Sequence, residues 1–393
     1  MYKNFEEILA DNKDICQSSL NITNKTRTSV YSWNGQFSPQ FIEVLLEKYS
    51  QKDDVVIDPF MGSGTTLIEC ARKNISVSGI ELNPSAFYMS KSFEICNLSE
   101  HERFYIISDI EVVVTSITTV DNIIIELKKL VNNSNENVKN TVSLLIILMD
   151  LFNNELSIEL LNKKWNILKT NIFQFPFSTR KITATNGDTR KTVFKDNTFT
   201  LLITSPPYIN VFNYHQKYRR SVEMLGFDVL NIAKCEFGSN RKHRRNRVFT
   251  VIQYCIDIAL AFREWQRICV ADARFIIVVG RESNVLSMSF SNSKLVYQLA
   301  CEIFEFDFLL KQERVFKNRF GKMIFEDILH FKNNKTNLNF SNEELIQKAK
   351  IVALRTVNEK KLIYADEVQK IKLLDDAINN VSKICKSEEI YNG

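Results

Sequence analysis

Apolar positions recur along this chain at two spacings, and the alternation between them sketches an α/β order. Ser38 precedes Phe41, Ile42, Val44, Leu45 and Leu46, the pattern of a capped helix over residues 38–50. Val55-Val56-Ile57 is a short buried strand, residues 65–73 read as a helix, and Val77 to Glu81 as the next strand. Strand, Gly-rich turn, helix and strand make a βαβ unit, which requires a parallel sheet with a right-handed crossover. Residues 84–180 carry a mostly helical pattern with Asn-rich breaks near 132–137 and 152–154. Strands resume at 181–185, 199–203 and 275–279, and 304–310 with 324–331 are spaced like a closing antiparallel pair. From Asn342 onward the pattern is charged and helical. The expectation is an α/β sheet, mostly parallel, with a helical insertion. Its segments are 1–90 (cofactor-type βαβ), 91–180 (insertion, either a cover or a target-recognition element), 181–335 (second half of the sheet) and 336–393 (tail).

Composition changes this picture little. Hydrophobic content of 45% and charged content of 25% suit a water-soluble globular protein. The longest apolar runs, such as residues 144–149, are too short to span a bilayer. The eight cysteines and four histidines are scattered, so no metal site is expected. Scattered cysteines behind a polar, acidic start (Met1 to Glu7) fit a reducing cytoplasm. Proline placement says more, since five of the six prolines fall in segments with other unusual features.

The first such segment is Thr204-Ser205-Pro206-Pro207-Tyr208, which ends the strand at 199–203. Two prolines remove two backbone donors and fix two φ angles, leaving a stiff turn with unused carbonyls. A rigid set of acceptors beside an aromatic ring suits a planar base that carries an exocyclic amine. The same residues also read as a plain strand stop with a surface tyrosine.

The second is Asp58-Pro59-Phe60-Met61-Gly62-Ser63-Gly64-Thr65-Thr66, between the first strand and its helix. Gly62 and Gly64 permit close approach of a ligand to the backbone, and Thr65 and Thr66 are candidate helix caps. The spacing is neither that of a dinucleotide fingerprint nor that of a phosphate-binding loop. Asp58 at the strand tip disfavours a phosphate and favours a cationic cofactor such as S-adenosylmethionine. Glu81, ending the next strand, is placed to accept from ribose hydroxyls. Asp188, after the third, is placed to accept from an adenine amine.

Together, Asp58–Thr66, Gly79–Pro84 and Thr204–Tyr208 resemble the S-adenosylmethionine-dependent DNA amino-methyltransferases, which modify N4 of cytosine or N6 of adenine. The resemblance spans roughly 30–90 and 180–332 and implies a Rossmann-like class I methyltransferase sheet. It implies cofactor contacts by Asp58, Pro59, Phe60, Gly62, Ser63, Gly64, Thr65, Thr66, Glu81, Asn83 and Asp188. Phe37-Ser38-Pro39 is similar to the family's motif that packs on the methionine moiety. Ser205, Pro206, Pro207 and Tyr208 then form the catalytic turn. The Ser205 hydroxyl and Pro206 carbonyl accept from the amine, Tyr208 braces the base, and the base is flipped out of the duplex. Serine before Pro-Pro-Tyr is the family's mark of cytosine-N4 enzymes, although many of those place the catalytic motif before the cofactor motif, the reverse of this chain. Adenine-N6 methylation, methylation of an RNA base and a non-catalytic nucleic-acid-binding relative are the alternatives. The resemblance also implies a restriction–modification setting, with a cognate nuclease acting on the same site and a cytoplasmic, nucleoid-associated protein.

Double-stranded DNA needs a basic surface, and residues 217–247 hold nine Lys/Arg against three acids. Arg241, Lys242, Arg244, Arg245 and Arg247 are the candidate phosphate contacts. A second strip is Arg314, Lys317, Arg319 and Lys322. Asn210, Asn213, Tyr214 and His215 are candidates to line the base pocket. Only 15 residues separate Asp188 from Thr204, so target recognition is expected from the insertion, from 209–260 or from the tail.

Overall fold

Strand β1 (Val55–Asp58) lies third in a seven-stranded sheet, flanked by parallel strands on both sides. The computed structural model describes residues 3–209, 213–238, 243–318, 321–335 and 340–389. β2 (Ser76–Glu81) and β3 (Ile182–Asn186) continue the sheet on one side of β1, and β4 (Phe199–Thr204) and β5 (Cys269–Gly280) on the other. A two-stranded ribbon, β6 (Glu282–Val285) with β7 (Met288–Ser291), follows. β8 (Asp307–Lys317) and β9 (Met323–Lys332) close the sheet, giving the order β3-β2-β1-β4-β5-β9-β8 with only β9 and its neighbours antiparallel. This is the expected Rossmann-like sheet. The order reverses between β1 and β4, and open α/β sheets bind ligands at such switch points.

Side-chain alternation divides the core into two layers. Val56, Val77, Leu201 and Ile276 face one cluster, while Ile57, Leu202, Phe275 and Ile277 face the other. The first layer holds helices Pro39–Tyr49, Thr65–Lys73 and the insertion helices through Val142, Leu145 and Trp165. The second holds helix Val248–Ile268 and the tail helix Asn342–Ile363, which packs through Leu345, Ala349, Val352 and Val357. The expected helical breaks in the insertion fall at 134–135 and 149–157.

Two expectations shift. The first closing strand begins at Asp307 rather than 304, because Phe304 and Phe306 turn inward onto Phe262. The 21-residue helix Val248–Ile268 and the ribbon were not foreseen. Among the described residues no helix is long and apolar enough to cross a membrane, and no group of metal-type ligands gathers.

Candidate active site

The two sequence motifs meet at the switch point through one hydrogen bond. Thr204, the last residue of β4, donates its hydroxyl to Asp58 at the end of β1 (2.7 Å). Asp58 also accepts from Thr66 (2.6 Å) and from the Phe60 amide (3.1 Å). Burial pushes its carboxyl up to about 6, against the pull of those three donors. Asp58 therefore does not line the cavity but shapes the loop beneath it. Its oxygens already accept three hydrogen bonds inside the fold. The capping expectation also changes. Gly64 holds the cap position, the Thr66 hydroxyl serves Asp58, and Thr65 reaches the Phe37 carbonyl (3.4 Å). Ser38 precedes its helix as foreseen, yet its hydroxyl makes no capping bond and lies buried without a partner.

A cavity of about 90 Å³, measured as the space open to the centre of a water molecule, lies over this switch point. Glu81 holds its shape. Its two oxygens accept from the amides of Asn83 (2.8 Å) and Gly62 (3.0 Å), which ties the loop to β2 and leaves lone pairs for a ligand. Burial raises the Glu81 carboxyl to about 7. Gly62 and Gly64 both have positive φ (51° and 84°), and a Cβ at Gly64 would sit 2.8 Å from the Phe93 ring. Trp33 lies over Gly62, and Gln36 accepts from Ser63 (2.6 Å). Further along, Phe60 packs edge-on against Phe237 (5.2 Å), beside Thr189, whose hydroxyl accepts from the buried Trp265 indole (2.8 Å). Asp188 forms this wall, but both its oxygens already accept from Arg190, which also donates to Asp257. Glu236 reaches in from the segment after the Pro-Pro turn and pairs with His215 Nδ1 (3.0 Å).

Ser205 and Pro207 also line the cavity. Tyr208 turns away from the cavity wall and packs its ring on Gly280 of β5, where a Cβ would meet it at 2.8 Å. Among the described residues nothing donates to the Pro206 carbonyl.

Of the sequence candidates, the cavity brings together Phe37, Pro59, Phe60, Gly62, Thr65, Glu81, Asn83, Asp188, Ser205 and Pro207. Ser38, Pro39, Asp58, Ser63, Gly64, Thr66, Pro206 and Tyr208 stand behind that wall. Tyr214 lines it, stacked on Trp33 (6.0 Å), whereas His215 is a buried partner of Glu236. Arg244 and Arg245 are exposed, and their loop is pinned by Asn246, which donates to Leu373 and Asp376 of the tail. Arg247 is half-buried at the start of the long helix. Asn210, Arg241, Lys242 and Arg319 lie outside the described residues. Arg314 does not belong to a surface strip. It is buried, stacked on Phe41 and Phe316. Trp33, Gln36, Thr189, Glu236 and Phe237 were missed, although the Asn34-Gly35 turn before Phe37 hinted that the chain bends there over a ligand.

None of the described lining residues is Lys, Arg or His, and three are acids: Glu81, Asp188 and Glu236. Such a wall fits a ligand carrying positive charge and hydroxyl donors, and rejects a phosphate.

Residues 4–92 match the family model described as DNA methylase. Over 67 residues the chain is 39% identical to the type II methyltransferase M.MjaII of Methanocaldococcus jannaschii, a stretch covering 16% of this chain and 13% of that protein. The chain thus spans only a small part of the length of this relative. Among solved structures, a SAM-dependent methyltransferase from Methanosarcina mazei aligns at 10% identity and TM-score 0.36, covering 73% of this chain and 96% of the other. TrmN from Thermus thermophilus aligns at 10% identity and TM-score 0.33, covering 76% and 50%. Over residues 4–92, then, this chain is similar to the DNA methylases, with cytosine N4 and adenine N6 both open.

Proposed function

We propose that this chain transfers a methyl group from S-adenosylmethionine to the exocyclic N4 of a cytosine flipped out of double-stranded DNA. The observation that carries the reading is the cavity itself, lined by acids and no Lys, Arg or His among the described residues, together with Ser205 of the Pro-Pro turn. When bound, S-adenosylmethionine supplies an electrophilic methyl on a sulfonium. Glu81 accepts from the ribose hydroxyls, Phe60 and Phe237 offer an aromatic wall to the adenine, and the Gly62 backbone lies against the methionine end. Ser205 and the Pro206 carbonyl accept from the amine and localise its lone pair. Holding that nitrogen in line with the methyl supplies the rate, without a covalent nucleophile. Incubation with tritiated cofactor and unmethylated DNA or RNA tests the reading; label entering RNA alone, or neither, would contradict it. A restriction–modification setting is part of this proposal through the family, with a nuclease acting independently at the same site.

Cofactor affinity should depend on pH through Glu81. Its carboxyl is raised to about 7, so below that value it holds a proton and attracts the cationic ligand poorly. Affinity should therefore rise from about pH 5.5 to about pH 8.5, with proton release on binding. Calorimetry in two buffers of different ionisation enthalpy reads both, and Glu81→Gln should flatten the curve.

For DNA, Arg244 and Arg245 are the exposed candidates. Gly238 lies against the Tyr208 carbonyl, so the basic segment begins beside the catalytic turn. Replacing both arginines with Gln should reduce the slope of log affinity against log salt by about 2, roughly 0.9 per phosphate contact. An unchanged slope in filter binding would mean that the loop faces elsewhere.

A further inference from the structure

A serine hydroxyl is an ambiguous acceptor. It carries a proton of its own, and pointed at the target amine that proton would hold the lone pair that must attack the methyl. The turn needs something to take the Ser205 proton away. Tyr208 is placed to do so, with its hydroxyl 3.4 Å from Ser205 Oγ, a long contact of the kind that tightens when substrate arrives. Tyr208 has one proton as well, and it donates to Glu326 Oε1 (3.0 Å). Glu326 in turn faces Arg314, whose Nη1 lies 3.3 Å from Oε2. A guanidinium can only donate, and a carboxylate facing it can only accept.

We propose that Glu326, anchored by Arg314, fixes the direction of the Tyr208–Ser205 hydrogen bond, so that Ser205 donates to Tyr208 and presents a lone pair to the base. The proposal rests on the methyltransferase reading above. Arg314 and Glu326 are held by the sheet. Arg314 pairs with Glu326 across β8 and β9, and Glu326 pairs with Gly280 across β9 and β5. Gly280 is the residue whose missing Cβ makes room for the Tyr208 ring. Arg314 is clamped 4.1 Å from the Phe41 ring and 4.4 Å from Phe316. Burial and the nearby Glu326 carboxylate push the Tyr208 phenol well above its usual value, so it keeps the proton it donates. Glu326 and Arg314 are positioning residues, acting on the amine only through Tyr208 and Ser205.

Glu326→Gln keeps the shape and brings a donor. With its carbonyl taken by Arg314, its amide faces Tyr208 and reverses the direction of the bond. Labelled methyl transfer to unmethylated DNA should fall about tenfold or more in kcat, with calorimetric affinity for S-adenosylmethionine and thermal midpoint unchanged. Tyr208→Phe should lower kcat similarly. Glu326→Gln added to Tyr208→Phe should cost nothing more, because its effect passes through the phenol. A packing role would instead add. Unchanged kcat in Glu326→Gln, or additive losses in the double variant, would overturn the relay while leaving the methyltransferase reading intact. If Glu326→Gln fails to fold, Tyr208→Phe decides alone, and wild-type kcat there overturns the relay. No transfer by the wild-type chain removes the function and the relay together.

Discussion

Ser205→Ala should bind S-adenosylmethionine as the wild type does and lose methyl transfer by roughly 10²–10³-fold, the usual cost of deleting one charge-stabilising contact at a reacting centre. Ser205 follows β4 and makes no hydrogen bond to Glu81, Asn83 or Gly62 among the described residues, so those contacts should be untouched. Among the described residues its hydroxyl bonds only at long range to Tyr208, so removal should leave the fold intact. Single-turnover kinetics with calorimetry separate the two effects. Turnover at the wild-type rate would sink the role assigned to Ser205.

Asp58→Ala should be the most damaging change at the cofactor end, though not through a lost ligand contact. It leaves the Thr66 and Thr204 hydroxyls and the Phe60 amide without their shared acceptor at a buried site. Stranded buried donors of this kind cost about 2–4 kcal/mol of stability in sum, after relief of the buried acid's own desolvation. The loop to Gly64 should loosen and β4 should lose its tie to β1. Cofactor affinity should fall at least about a hundred-fold. Asp58→Asn retains an acceptor for Thr204 and Phe60 and offers Thr66 a donor, so it should fall between the two. Urea unfolding and calorimetry on both variants check the order; an Asn variant as weak as the Ala variant would mean that the charge itself binds the ligand.

Strands β1 to β4 were legible because they are short, rich in branched residues and followed within a few residues by Gly or Pro. The helix at 65–73 came out with its observed ends for the same reason. Helix Val248–Ile268 escaped because it is apolar on nearly every side, buried between the sheet and the tail, so it shows no stripe to count. The tail read as a charged appendage, yet a narrow set of small and branched residues docks it onto that helix. Motif residues were found by type, but type alone does not separate lining from scaffold. Asp58 and Glu81 both end strands, and only coordinates show that one is closed in by hydroxyls while the other opens to the cavity. Glu236 and Phe237 escaped because they reach the site from about thirty residues beyond the catalytic turn, through tertiary folding that no local spacing records. Arg314 was misplaced because a charge on a strand reads as surface until two rings are found covering it.

The most direct test of the account is mass spectrometry of nucleosides from unmethylated double-stranded DNA incubated with the full-length protein and S-adenosylmethionine. The account predicts N4-methylcytosine, formed by the wild type and lost in Ser205→Ala. N6-methyladenine would contradict the reading of Ser205 as a cytosine-selecting acceptor, and DNA left unmodified would contradict the assignment of methyl transfer to DNA itself.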